Sequence, residues 1–157
     1  MFRIGDRIVH PMHGAGVVES LEKRTVDGRE REYYVMRMPA CGMRVMVPAE
    51  NAEAIGVRPV ISRDQAQEIL SAVSSLPAEM DSNWSRRYRD NMDRLKSGDL
   101  LQVCRVIKGL SVRERERDLS TGERKMLHLA KQILISELVL ALSEEYDTIE
   151  KRIDSLL

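Results

Sequence analysis

The chain has 157 residues, 43% of them hydrophobic and 32% charged, and its 25 basic side chains cancel its 25 acidic ones. That composition is too apolar for a disordered chain, and the length allows one full domain or two small ones. A chain of this size buries about 70% of its unfolded surface, so neither disulfides nor a metal is required to stabilise it.

Turn formers are segregated: residues 1–59 hold six of the nine glycines and four of the five prolines. Such punctuation between apolar runs predicts strands in the first part, and its scarcity afterwards predicts helices. The expected strands begin with Arg7-Ile8-Val9-His10, followed by a turn at His13-Gly14-Ala15-Gly16 and a strand over 17–21. Val26-Asp27-Gly28 marks a tight hairpin. Residues 32–38 form the strongest strand, Pro39-Ala40-Cys41-Gly42 the next turn, and residues 43–47 a strand stopped by Pro48. Four or five short strands cannot make two thick sheets, so a small bent barrel of the Tudor type is the economical solution. A boundary is expected between Gly56 and Ile61.

Beyond it, Ser62-x-x-Gln65 is a capping box opening a first helix. Asp81-Ser82-Asn83 offers N-caps for a helix over 84–96 closed by Gly98, and Asp99 can cap one over 100–108 with Gly109 beyond it. Ser120-x-x-Glu123 is a second capping box. It opens a long helix whose stripe of Met126, Leu127, Ala130, Ile133, Leu134, Leu138 and Ala141 has the spacing of a core-facing side. A last helix is expected over 147–156. The fold class is therefore α+β, with a small β-barrel followed by a compact all-α domain.

Enzyme signals are weak. His10 and His13 lie three residues apart without further ligands nearby in sequence, and a zinc site takes several, so a structural or solvated role is the simpler reading. Gly14-Ala15-Gly16 lacks the third glycine and the following helix of a dinucleotide fingerprint. There is no nucleophile elbow or P-loop. Acidic side chains mostly face a base at helical spacing, as in Arg86–Asp90 and Arg89–Asp93, the pattern of solvated helix faces. No cofactor, metal or small-molecule substrate is expected. Cys41 and Cys104 read as reduced thiols. The N-terminus lacks the apolar core of a signal peptide, and the longest apolar stretch, Ile133 to Leu142, falls short of the about 20 residues of a membrane span. A cytoplasmic protein with no membrane partner is the expectation.

A zero charge sum argues against nucleic-acid binding only if the charges are evenly mixed. They are not. Residues 86–131 carry thirteen bases and seven acids, whereas residues 132–157 carry two bases and six acids. At the head of the basic block stands Asn83-Trp84-Ser85-Arg86-Arg87-Tyr88-Arg89, with the only tryptophan of the chain at a helix start. Two readings of Trp84 stand open on pattern alone. Either it packs in the helical core with solvated arginines around it, or it is an apolar wedge at a disturbed base step with arginines on the backbone phosphates. A second basic spot is Arg124-Lys125. In the β part, Tyr33 and Tyr34 point to opposite faces of a strand and cannot build one aromatic cage. A protein-binding strand edge or face fits better, with Arg24, Arg44 and Met46 exposed and Val35 and Pro48 near them.

These blocks together resemble the CarD/CdnL family of bacterial transcription regulators. The resemblance rests on the run from Gly5 to Gly14, on Gly42-Met43-Arg44-Val45-Met46-Val47-Pro48, on Asn51-Ala52-Glu53 with Gly56-Val57-Arg58, on the Trp84 block, and on Leu119 to Leu127. It implies a Tudor-like domain over 1–57 that binds the β subunit of RNA polymerase, and the transcription-repair coupling factor carries a similar module. It further implies a helical domain over 62–157 that contacts promoter DNA in the minor groove at the upstream edge of the transcription bubble. Carried over by motif, Trp84 is the wedge, and Arg86, Arg87, Arg89 and Lys125 hold phosphates. Arg24, Val35, Arg44, Met46 and Pro48 lie on the polymerase-facing surface. His10 stands where a tyrosine is usual, and Met46 where some members carry a base. The cancelling charge motivates a second expectation, an interaction adaptor without DNA contact. A small metal enzyme or hydrolase using His10 and His13 is the third.

Overall fold

In the computed structural model, which describes residues 1–39 and 41–157, an antiparallel sheet precedes a set of helices. The strands are β1 (Arg7–His10), β2 (Gly14–Val26), β3 (Arg29–Arg37), β4 (Arg44–Pro48) and β5 (Arg58–Pro59). The sheet order is β4-β3-β2-β1-β5, so β4 and β5 are its edges. The architecture is the expected α+β one, a small Tudor-like β unit followed by a helical domain. Asp27 and Gly28 both have positive φ, 52° and 76°, as a two-residue turn matched to strand twist requires. Alternation along β3 sends Tyr34 and Met36 inward onto Ile8, Val18 and Val47. The expected turn at Pro39–Gly42 includes Ala40, which lies outside the described residues.

Residues 14–16 are not a turn but the start of β2, paired with His10, Val9 and Ile8. Their small size serves close approach instead. At Gly14 a Cβ would overlap the Ser136 hydroxyl, and at Gly16 it would come within 2.7 Å of the Arg37 carbonyl oxygen. The predicted strand over 17–21 therefore extends to thirteen residues.

The helices are α1 (Arg63–Ala72), which runs into a short 3-10 turn at Val73–Ser75, then α2 (Trp84–Lys96), α3 (Leu100–Glu116), α4 (Thr121–Leu142) and α5 (Tyr146–Leu156). The caps lie where the sequence puts them. Ser62 and Gln65 form a reciprocal box, Asn83 accepts from the Arg86 N–H, and Asp99 accepts from the Leu101 N–H. Gly109, expected to end α3, lies inside it, because the Met80 side chain packs where a Cβ would stand. A mid-helix glycine costs about 1 kcal/mol relative to alanine, and here it admits a close-packed neighbour.

The apolar stripe of α4 faces the helical core, although Ala141 is only half-buried. The helix is also covered on its other side. Leu140 packs with Val9 and Ala15, and Ser136 Oγ accepts from the Ala15 N–H at 2.9 Å. Arg7 donates to the Leu140 carbonyl at 2.7 Å. Glu137, fully buried, receives the Arg58 guanidinium through two bonds of 2.7 and 2.8 Å and the Ile61 N–H at 3.0 Å. One helix thus belongs to two cores and locks the β unit against the helices.

Candidate functional site

Trp84 is the first residue of α2 and is 46% exposed, so it is not the core tryptophan that the pattern also allowed. Its ring stacks on Tyr88, one turn on, with centroids 5.1 Å apart and planes 20° apart. Its Nε1–H donates to Ser120 Oγ at 3.1 Å. Ser120 is the N-cap of α4, and its oxygen also accepts from the Glu123 N–H at 3.2 Å. The starts of two helices, α2 and α4, therefore meet at one exposed indole. Both present the positive end of the helix dipole there.

Arg86, Arg89 and Lys125 are exposed around this point. The expected pairs Arg86–Asp90 and Arg89–Asp93 do not form, and among the described residues neither arginine lies within ion-pair distance of a carboxylate. Their charges are thus available to an anionic partner.

Arg87 departs from the expectation that it holds phosphates. It is 2% exposed, and its guanidinium is committed. Its Nε and Nη2 donate to the two Glu123 carboxylate oxygens at 2.8 and 3.2 Å, and its Nη1 donates to the Asp81 and Ser82 carbonyls. Helical spacing explains the difference, since Arg86 and Arg89 face solvent while Arg87 faces α4. Glu123 is diverted in turn. Its carboxylate does not close the second capping box on the Ser120 N–H but binds Arg87, and one oxygen accepts from Ser120 Oγ at 3.3 Å. Hydrogen bonding from Arg87 outweighs the cost of burial and holds the Glu123 carboxyl below the usual carboxylate range, with help from the Arg87 and Arg113 charges.

The second candidate surface is the outer face of β2, β3 and β4. Register places Ser20, Val35 and Met46 side by side there, and Glu22, Tyr33 and Pro48 in the next row. Arg24, two residues beyond Glu22, shares that face. Met46 is 37% exposed, and Arg24, Arg44 and Pro48 are exposed. Val35 is only 5% exposed and forms the floor of this face rather than its rim. Arg44 makes a two-bond contact with Glu19, at 2.7 and 3.3 Å, which lowers the Glu19 pKa, and Arg24 reaches Glu22 at 3.2 Å. Beside this face, β4 is an edge strand, with no further strand paired to it among the described residues.

His10 and His13 lie with ring centroids 4.4 Å apart. His10 Nδ1 accepts from the Met12 N–H at 3.1 Å, and burial, then His13, lowers the His10 pKa. Among the described residues no group of three or more His, Cys, Asp and Glu is arranged to hold a metal ion.

The sequence reading missed Ser120 and Tyr88 as neighbours of the indole. The four-residue spacing from Trp84 to Tyr88 was a usable signal for the second. For the first there was none, since Ser120 reads as a cap and lies 36 residues away.

Comparison with known proteins gives these likenesses. Residues 68–154 match the family model "CarD, C-terminal domain", and residues 2–61 match "CarD-like/TRCF RID domain". The putative transcription factor YdeB of Bacillus subtilis is 36% identical over 138 residues, covering 88% of this chain and 90% of YdeB. The solution NMR structure of the 72-residue N-terminal domain of Myxococcus xanthus CarD is 36% identical, covers 38% of this chain and 79% of that one, and has a TM-score of 0.34.

Proposed function

This chain belongs to the CarD-like family of bacterial transcription regulators, and from that premise we propose that it binds the RNA polymerase β subunit and stabilises the promoter open complex. The observation that carries this reading is the exposed Trp84 at the junction of two helix N-termini, with Arg86, Arg89 and Lys125 beside it. In this reading residues 62–157 contact DNA, and residues 1–57 engage polymerase through the outer face of β2–β4 and the edge strand β4. Met46 and Pro48 supply the apolar contact there, with Arg24 and Arg44 at its rim.

The mechanism is differential binding. An indole fits between base pairs only where they have unstacked, which happens at the upstream edge of a melted promoter. A ligand shifts an equilibrium only by its preference for one state, so a wedge that enters the open complex alone stabilises the open complex alone. The exposed bases neutralise phosphates and set the register of the ring. Their number is small, so free DNA is bound weakly. Attachment to polymerase supplies the high local concentration that makes weak contacts suffice.

The test is the lifetime of a promoter open complex assembled with polymerase. Trp84→Ala is expected to shorten it to the value measured without the protein, while polymerase is still retained in a pull-down. Met46→Glu is expected to lose the pull-down and, through it, the lifetime effect. An unchanged lifetime with folded Trp84→Ala protein removes the wedge. The gain in lifetime over polymerase alone shrinks with raised salt if this chain contacts phosphates, and a gain independent of salt favours the adaptor reading without DNA contact.

A further inference from the structure

Trp84 is exposed, yet two groups hold it. Tyr88 stacks on it. Gly122 stands beside both rings, where a Cβ would make ordinary contact at 3.6 Å from Tyr88 and 3.8 Å from Trp84. The only polar atom of the indole is bound by Ser120 Oγ. That hydroxyl is itself saturated. It accepts from Trp84 Nε1 and from the Glu123 N–H, and it donates to the Glu123 carboxylate. A hydroxyl has one donor and two acceptor sites, so this one has no rotational freedom left. The carboxylate that receives its proton is immobilised by Arg87, which lies three residues from Trp84 on the same helix.

We propose that Ser120, set by the buried Arg87–Glu123 pair, is a positioning residue that latches the Trp84 ring in its DNA-inserting orientation before DNA arrives. The inference rests on the wedge reading of Trp84 and adds to it the group that aims the wedge. An exposed tryptophan on a helix N-terminus would otherwise sample several rotamers, and ordering it on insertion would weaken the open complex. Holding it in advance removes that cost, which for one immobilised side chain corresponds to about a two- to tenfold change in complex lifetime.

Trp84 is the only tryptophan, so its fluorescence reports on the latch without labelling. Ser120→Gly removes the hydroxyl while keeping most of the capping preference at the start of α4, and Ser120→Thr keeps a hydroxyl at the same point. Time-resolved anisotropy of the free protein is expected to show added fast motion of the indole in Ser120→Gly and wild-type behaviour in Ser120→Thr. The open-complex lifetime is expected to fall about two- to tenfold in Ser120→Gly, between wild type and Trp84→Ala, and to be restored in Ser120→Thr. Unchanged indole motion in Ser120→Gly overturns the latch. Increased motion with an unaltered lifetime overturns its role in positioning. A lifetime insensitive to Trp84→Ala overturns the wedge reading itself, and the anisotropy arm, measured without DNA, tells that failure apart from failure of the latch.

Discussion

Trp84 and Arg87 are one turn apart on α2 and meet opposite fates. The apolar ring stays 46% exposed, while the charged guanidinium is 2% exposed. Burying a charge is tolerable only where it is paired and hydrogen-bonded, and Glu123 with two carbonyls supplies that for Arg87. The pair carries a pH signature. Its carboxyl lies below the ordinary value because of Arg87, with Arg113 of α3 adding charge, so its stabilisation is complete above the unfolded value of about 4.3. It is lost only as pH falls through the lower folded value. Trp84 emission is therefore expected to hold steady from neutral pH down to about 4.3 and to change below it. An emission transition centred near pH 6 would contradict the assignment. None of this pairing was legible in the motif: Arg86, Arg87 and Arg89 read alike as bases near a tryptophan, and only the partner 36 residues away separates them.

Among the elements, boundaries marked by side-chain chemistry were readable, and those governed by close packing were not. Ser62, Asp99 and Ser120 cap as expected, and Asn83 is the one of the three candidates at 81–83 that does, because an N-cap is decided by its own oxygen and an N–H two or three residues on. Gly14, Gly16 and Gly109 read as breaks and lie inside a strand or a helix, because what they accommodate comes from elsewhere in the chain. Gly14 has φ of 93° and faces Ser136 of α4. Gly14→Ala is expected to cost about 1–3 kcal/mol from backbone strain, with added loss where β2 meets α4. A shift in the urea midpoint at constant slope measures it. A change within about 0.5 kcal/mol would mean that the backbone at Gly14 relaxes out of its positive φ and β2 shifts away from Ser136 at no cost.

At the scale of the whole molecule, α4 joins the two units, and Glu137 is its anchor. The carboxylate is wholly buried, ion-paired to Arg58 and bonded to the Ile61 N–H, so it ties the chain leaving the sheet to the middle of a helix. Glu137→Ala leaves the half-buried Arg58 guanidinium and the Ile61 N–H without their acceptor, and it is expected to destabilise by about 1–3 kcal/mol in urea unfolding. If the units fold independently of this contact, the loss will instead be under about 1 kcal/mol, the value of a surface pair. Such a junction gives the proposed polymerase face and the indole a set relation, which a wedge delivered by a tethered domain requires. By itself the sequence determined the change from strands to helices, most of the caps, the exposure of Arg24, Arg44 and Met46, and the family blocks. These depend on local periodicity and on side chains acting within a few residues. Its charge sum of zero concealed a basic block between acidic neighbours. Which arginine is free, which is buried, and what holds the tryptophan were decided only when α2, α4 and the sheet came together. Burial and pairing belong to residues distant in the chain, and their energetics exist only in the folded molecule.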